Sequence, residues 1–285
     1  MKTVGSLFAG IGGFDLGFER AGFQTRWLSE WNEWNQAVLA DRFPTAKLYG
    51  DINRIEPAEL EPVHVICGGF PCTNISISGN LRRGGQPGLH GEASGLFFKA
   101  MEIIGCLRPR WVVIENVPQL LYSQNGRDFA QVLLSLRDCG YDAAWRVLNS
   151  AGFGVPQNRR RLFLVAGLGR TITDEFISDA APVESIPCSL GALGHIRKEA
   201  EFSTSTLQAP IANCRLFMGS EPLVCERGRR GQMVERQRIA TDTGLPLGVD
   251  DYTATERFSA GNAVSPQIAE WIAQLIAKTD AETGD

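Results

Sequence analysis

Residues 3–18, Thr-Val-Gly-Ser-Leu-Phe-Ala-Gly-Ile-Gly-Gly-Phe-Asp-Leu-Gly-Phe, carry a β-type apolar run into a glycine-rich turn and out into a helical period. The strand is expected to end at Phe8. Gly10, Gly12 and Gly13 then let the backbone turn tightly and approach a ligand closely before a helix begins near Phe14. A strand, a glycine turn and a helix start in that order are how an open α/β sheet builds its ligand crevice, at the carboxyl ends of the strands.

Working outward, β-rich runs alternate with helix-period segments, the pattern of a parallel sheet covered on both faces. Strands are expected at Thr3 to Phe8, Thr25 to Ser29, Val63 to Cys67, Trp111 to Ile114, Ala143 to Leu148 and Arg161 to Ala166, with a short one before Asp51. Helices are expected at Phe14 to Arg20, Trp31 to Arg42, Gly95 to Leu107 and Arg127 to Asp138. After about Gly169 the alternation stops, and a Gly-, Pro-, Ser- and Thr-rich stretch without clear period runs to about Asp251. A last helix, Pro266 to Ala277, offers Ile268, Ala269, Ile272, Leu275 and Ile276 as an apolar face. The expected division is a catalytic and cofactor-binding domain over 1–170, a smaller irregular module over 171–251, and a segment 252–285 that returns to the first domain.

Composition bounds the function. The chain has 285 residues, 44% hydrophobic and 21% charged, as an ordinary globular protein does. Seven cysteines without a CxxC pair, and three histidines, give neither a disulfide framework nor a zinc site, so no metal is expected and the compartment is reducing. No signal core or membrane-length run is present, which leads us to expect a cytoplasmic protein with no membrane partner. The net charge of −4 is uneven: residues 151–240 hold twelve Lys or Arg against nine Asp or Glu, so that segment is +3 and the remainder −7. A polyanion facing that region would suit this asymmetry.

Five further motifs carry chemistry. Glu30, eighteen residues after Gly12 and at the end of the second strand, is placed to accept hydrogen bonds from ribose hydroxyls. Trp31 beside it can stack on an adenine, and Asp51, in YGDI, suits an exocyclic amine. This much does not separate a nicotinamide dinucleotide from another adenosine cofactor. In GFPCTNISISG, Pro71 and the extended bias it puts on Phe70 aim Cys72 off a strand end, where a thiolate serves as nucleophile. Glu115 and Asn116, in ENV, stand one strand further along the same edge. Arg159 and Arg161, in QNRRRL, are expected to leave one face of the strand they open and to meet an oxygen-rich ligand.

Together FAGIGG, EW, GDI, GFPCTNISISG, ENV, QNRRR and GNAVSP stand in the order and approximate spacing of the cytosine-5 DNA methyltransferase family, which the chain resembles over residues 3–168 and 252–277 as a short bacterial or phage member. The resemblance implies a class I methyltransferase fold: Rossmann-like α/β, doubly wound and mainly parallel, with a final antiparallel strand and a smaller irregular target-recognition domain. It implies S-adenosylmethionine as cofactor and S-adenosylhomocysteine as product. Phe8, Ile11, Gly13, Glu30, Trp31, Asp51, Ile52, Pro71, Leu96, Asn262 and Val264 would line that pocket. Cys72 would be the nucleophile, Glu115 the acid on the cytosine edge, and Arg159 and Arg161 the arginines beside it. The target base must rotate out of the duplex to be reached. Ser76, Ser78, Arg82 and Arg83, in the loop after Cys72, and Arg227, Arg229 and Arg230 are the candidate DNA contacts. Before GNAVSP the chain reads VERQRIATDTGLP, where the family has a Pro-Arg-Glu stretch and a Gly-Phe-Pro turn. The implied partners are double-stranded DNA and a cognate restriction endonuclease, the implied state a monomer, associated with a bacterial nucleoid or encoded by a phage. Methylation of tRNA by the RNA-directed branch, and a non-catalytic DNA-binding partner, are the alternatives.

Overall fold

A computed structural model describes residues 1–71, 95–155, 157–172, 188–189 and 263–284. In chain order its elements are β1 (Thr3–Leu7), α1 (Gly13–Arg20), β2 (Gln24–Ser29), α2 (Glu33–Arg42), β3 (Lys47–Tyr49), β4 (Val65–Gly68), α3 (Gly95–Leu107), β5 (Trp111–Asn116), α4 (Arg127–Asp138), β6 (Tyr141–Asn149), β7 (Arg160–Leu168), β8 (Cys188–Ser189) and α5 (Pro266–Thr283). They fall into two compact units. One takes in Met1–Gly68 and the described parts of Asn149–Arg159 and Pro222–Asp285; the other takes in the described parts of Gly69–Leu148 and Arg160–Glu221.

In the first unit the strand order is β3-β2-β1-β4 and every pairing is parallel. Parallel strands are covered on both faces, which is why β1 and β4 read as apolar runs: Val4, Leu7, Val65, Ile66 and Cys67 are all buried. Val4 pairs with Thr25 but Gly5 with Trp27, so Arg26 is an extra residue, and its guanidinium pairs with Glu61 at 2.9 Å. Helix α5 packs on α1 through Ile268, Ala269, Ile272 and Ile276. Gly17 permits this approach, since a Cβ there would lie 2.5 Å from both Ala269 Cβ and the Pro266 carbonyl oxygen. The helix runs past its expected end at Ala277 to Thr283. The cause is Asp280, a fully buried carboxylate that meets Lys2 Nζ at 2.8 Å and His64 Nε2 at 2.7 Å. No apolar count reveals such an anchor.

In the second unit the order is β5-β7-β6-β8. Strands β5 and β7 run antiparallel from Trp111↔Gly167 to Asn116↔Leu162, which makes β7 the antiparallel strand the resemblance implied. Trp145 of β6 receives Phe129 of α4 edge-on, with centroids 5.1 Å apart. Most of the expected recognition module, 171–251, lies outside the described residues.

Candidate active site

Of the cofactor-binding candidates, Phe8, Ile11, Gly13, Glu30 and Trp31 follow the ends of β1 and β2, and Asp51 and Ile52 follow β3. Phe8 takes φ 55°, a left-handed conformation that is strained for a bulky side chain. It is held by its neighbours: Ala9 N–H donates to the Ser29 carbonyl and Gly12 N–H to the Ala9 carbonyl, both at 2.9 Å. Glu30 is buried and fixed at both carboxylate oxygens. Gly10 N–H donates to Oε2 at 2.8 Å and Asn32 N–H to Oε1 at 2.9 Å, while Gln36 Nε2 donates to the Glu30 carbonyl at 2.7 Å. A carboxylate has about four acceptor sites, so two main-chain donors orient this one and leave capacity for hydroxyls.

Trp31 is 73% exposed, an apolar surface free for a planar ring, whereas Trp34 packs with Val38 and Ala263 against the buried Ile11. Asp51 Oδ1 accepts from Asn53 N and Nδ2, both at 3.0 Å, which caps the turn Ile52–Arg54 and buries Ile52. Gly13 lies under the segment before α5: a Cβ on it would sit 2.3 Å from the Val264 carbonyl oxygen. An oriented carboxylate, an open indole and a backbone cradle that a Cβ would fill suit an adenosyl ligand.

In the second unit, Glu115 and Asn116 are the last residues of β5. Arg161 Nε lies 3.1 Å from Glu115 Oε1 in an ion pair with side chains only 24% and 12% exposed respectively, so water screens it little. Arg161 also donates from NH1 to the Arg160 carbonyl at 2.8 Å. Strand β7 starts at Arg160, and the Arg159 main chain bonds the turn before it, donating to Asn149 Oδ1 at 3.1 Å and accepting from Ser150 N–H at 3.0 Å. Pro71 and Leu96 are half-buried. Cys72, Ser76, Ser78, Arg82, Arg83, Arg227, Arg229, Arg230 and Asn262 lie outside the described residues.

Cys67 is no rival nucleophile: it is buried, its thiol donates toward Ser6 Oγ at 3.5 Å, and burial pushes it well above the usual thiol range. Asp15, fully buried in the first turn of α1, is pushed up to about 7 by burial. Sequence reasoning gave no role to Asp15, Gln36 or Gly69. For Asp15 the available signal was a carboxylate at a helix position that packs inward; Gln36 and Gly69 carried none.

The C-5 cytosine-specific DNA methylase model matches residues 2–205. The chain belongs to this family. As a DNA cytosine-5 methyltransferase it uses S-adenosylmethionine. The methyltransferase is similar to the type II methyltransferase M2.BsuMI of Bacillus subtilis, at 30% identity over 100% of this chain and 77% of that protein. It is also similar to M.Bsp6I of a Bacillus species, at 36% identity over 58% of this chain and 52% of that one. Among solved structures it is similar in fold to Schizosaccharomyces pombe Dnmt2, with a TM-score of 0.60 and 17% identity, covering 98% of this chain and 100% of that one. Among the described residues of the methyltransferase, no helix is long and apolar enough to cross a membrane.

Proposed function

We propose that the chain methylates carbon 5 of a cytosine turned out of double-stranded DNA, through a transient bond between Cys72 Sγ and ring carbon 6. The observation that carries this reading is the sheltered Glu115–Arg161 pair at the end of β5. Carbon 5 is a poor nucleophile, and addition of a thiolate at carbon 6 makes it enamine-like, splitting one hard step into two. Charge then moves toward ring nitrogen 3 and the ring carbonyl oxygen. Glu115 meets the nitrogen edge, and Arg161 turns its further N–H groups to the oxygen, where a fixed cation needs no reorganisation as charge develops. The bound cofactor supplies an electrophilic methyl group on a sulfonium and leaves as S-adenosylhomocysteine. Loss of the carbon-5 proton then expels the thiolate and restores the ring double bond.

The relatives M2.BsuMI and M.Bsp6I are type II methyltransferases by name, which supports a restriction endonuclease of matching specificity as partner of this chain. Residues 171–251 are the segment we assign to target recognition, with the chain acting as a cytoplasmic monomer. The test is transfer of tritiated methyl groups to duplex DNA and to tRNA, with bisulfite sequencing of DNA from cells expressing the chain. Label in DNA at one sequence context, absent from Cys72→Ala, is the expected result. Label confined to tRNA, or a Cys72→Ala variant as fast as the parent, overturns it.

A further inference from the structure

Residues 69–71 run directly into Cys72, and the described chain there is held by two contacts and passes close to Glu115. Asn116 is 2% exposed; its Nδ2 donates to the Phe70 carbonyl at 3.4 Å and its Oδ1 accepts from Val117 N–H at 2.8 Å. The two contacts fix the amide's orientation, because one needs a donor and the other an acceptor. The Phe70 ring is buried against Phe97 of α3, with centroids 5.1 Å apart. Gly69 faces Glu115: a Cβ on it would stand 2.9 Å from Glu115 Oε2 and 3.2 Å from the Glu115 carbonyl oxygen. Successive strand residues point to opposite faces, so the end of β5 presents Glu115 to one side and Asn116 to the other.

We infer that Asn116 and Gly69 are positioning residues that set the spacing between the Glu115 carboxylate and the main chain entering Cys72. The inference rests on the functional reading above and adds to it. Asn116 holds the Phe70 carbonyl while its partner bond to Val117 keeps the strand end from fraying. Gly69 keeps open the space in which Glu115 Oε2 lies, while Oε1 faces Arg161. Neither residue needs to touch the base. An error of about 1 Å in such a spacing costs on the order of a hundredfold in rate.

The test uses the full chain with Asn116→Asp, Gly69→Ala, Glu115→Asp and the Gly69→Ala/Glu115→Asp pair. Asn116→Asp keeps the acceptor for Val117 and loses the donor to Phe70. Its kcat is expected to fall on the order of a hundredfold, with cofactor Kd near the parental value, a lower Tm because a buried carboxylate oxygen then faces the Phe70 carbonyl, and a matching loss of covalent adduct on DNA containing 5-fluorocytosine. Gly69→Ala is expected to fall similarly. Because it acts through the Glu115 carboxylate, adding it to Glu115→Asp, whose shorter side chain makes room for a Cβ, costs little further. A folded Asn116→Asp with parental kcat and adduct yield overturns the role of Asn116, and losses that multiply in the double variant overturn that of Gly69. If the parent methylates no DNA, the functional reading fails on its own. Amide exchange at Gly69 and Phe70 then decides: faster in Asn116→Asp if the spacing device is real, unchanged if it is not.

Discussion

Glu30 is held by two main-chain N–H donors, and that arrangement decides what a substitution there does. In Glu30→Gln one acceptor oxygen becomes an NH2 group facing an N–H donor. Hydrogen bonds to a charged group contribute about 1.5–3 kcal/mol, so affinity for S-adenosylmethionine should fall roughly tenfold or more, as read by calorimetry. Asp15 gives a pH prediction. Its carboxyl is raised from 3.8 to about 7 in the folded protein, so between those values the folded state binds the extra proton. Stability therefore falls as pH rises from about 4 to 7 and levels off above, by about 4 kcal/mol in all. Asp15→Asn should lose this slope, so that its Tm gains on the parent between pH 4 and 7; a constant difference across that range would refute it. Glu30 and Glu115 were legible in the sequence because a carboxylate ending an apolar strand stands out. The engagement of Asp15 with the core was not, since its neighbours Ser6 and Cys67 come from other elements.

At the scale of elements, the joint between α1 and α5 makes a sharp case. Alanine at position 17 improves helix propensity by about 1 kcal/mol over glycine. The new Cβ would stand 2.5 Å from Ala269 Cβ and from the Pro266 carbonyl oxygen, so main chain has to move. Overpacking of that kind costs about 1–3 kcal/mol, enough to outweigh the propensity gain. Gly17→Ala should therefore lower Tm by a few degrees, measured by calorimetry; a higher Tm would show that the helices part freely. Most of the element order from β1 to β7 was legible because strands covered on both faces read as continuous apolar runs. What escaped was where elements stop. Strand β7 leaves Arg159 out because its main chain is tied to the preceding turn, and α5 continues to Thr283 because a buried ion pair anchors its last turn.

Over the whole molecule, one compact unit is assembled from distant stretches of chain: Met1–Gly68, a piece around Asn149–Arg159 and the helix α5. Removing residues 263–285 should therefore damage more than the removed part. It uncovers Gly13 and the α1 face, and we expect loss of the stabilisation that S-adenosylhomocysteine gives the full chain. For a ligand at a hundred times its Kd that stabilisation is about 2.7 kcal/mol, visible as a rise in Tm. A truncated chain that keeps the full thermal shift would show α5 to be dispensable.

The contact between Gly13 and the Val264 carbonyl also bears on how the protein is made. A ribosome adding about 5–20 residues per second reaches Val264 roughly 10–50 s after Gly13. Throughout that interval the nascent glycine turn has no backbone above it and the apolar side of α1 is bare, an opening for chaperones that closes only when α5 emerges.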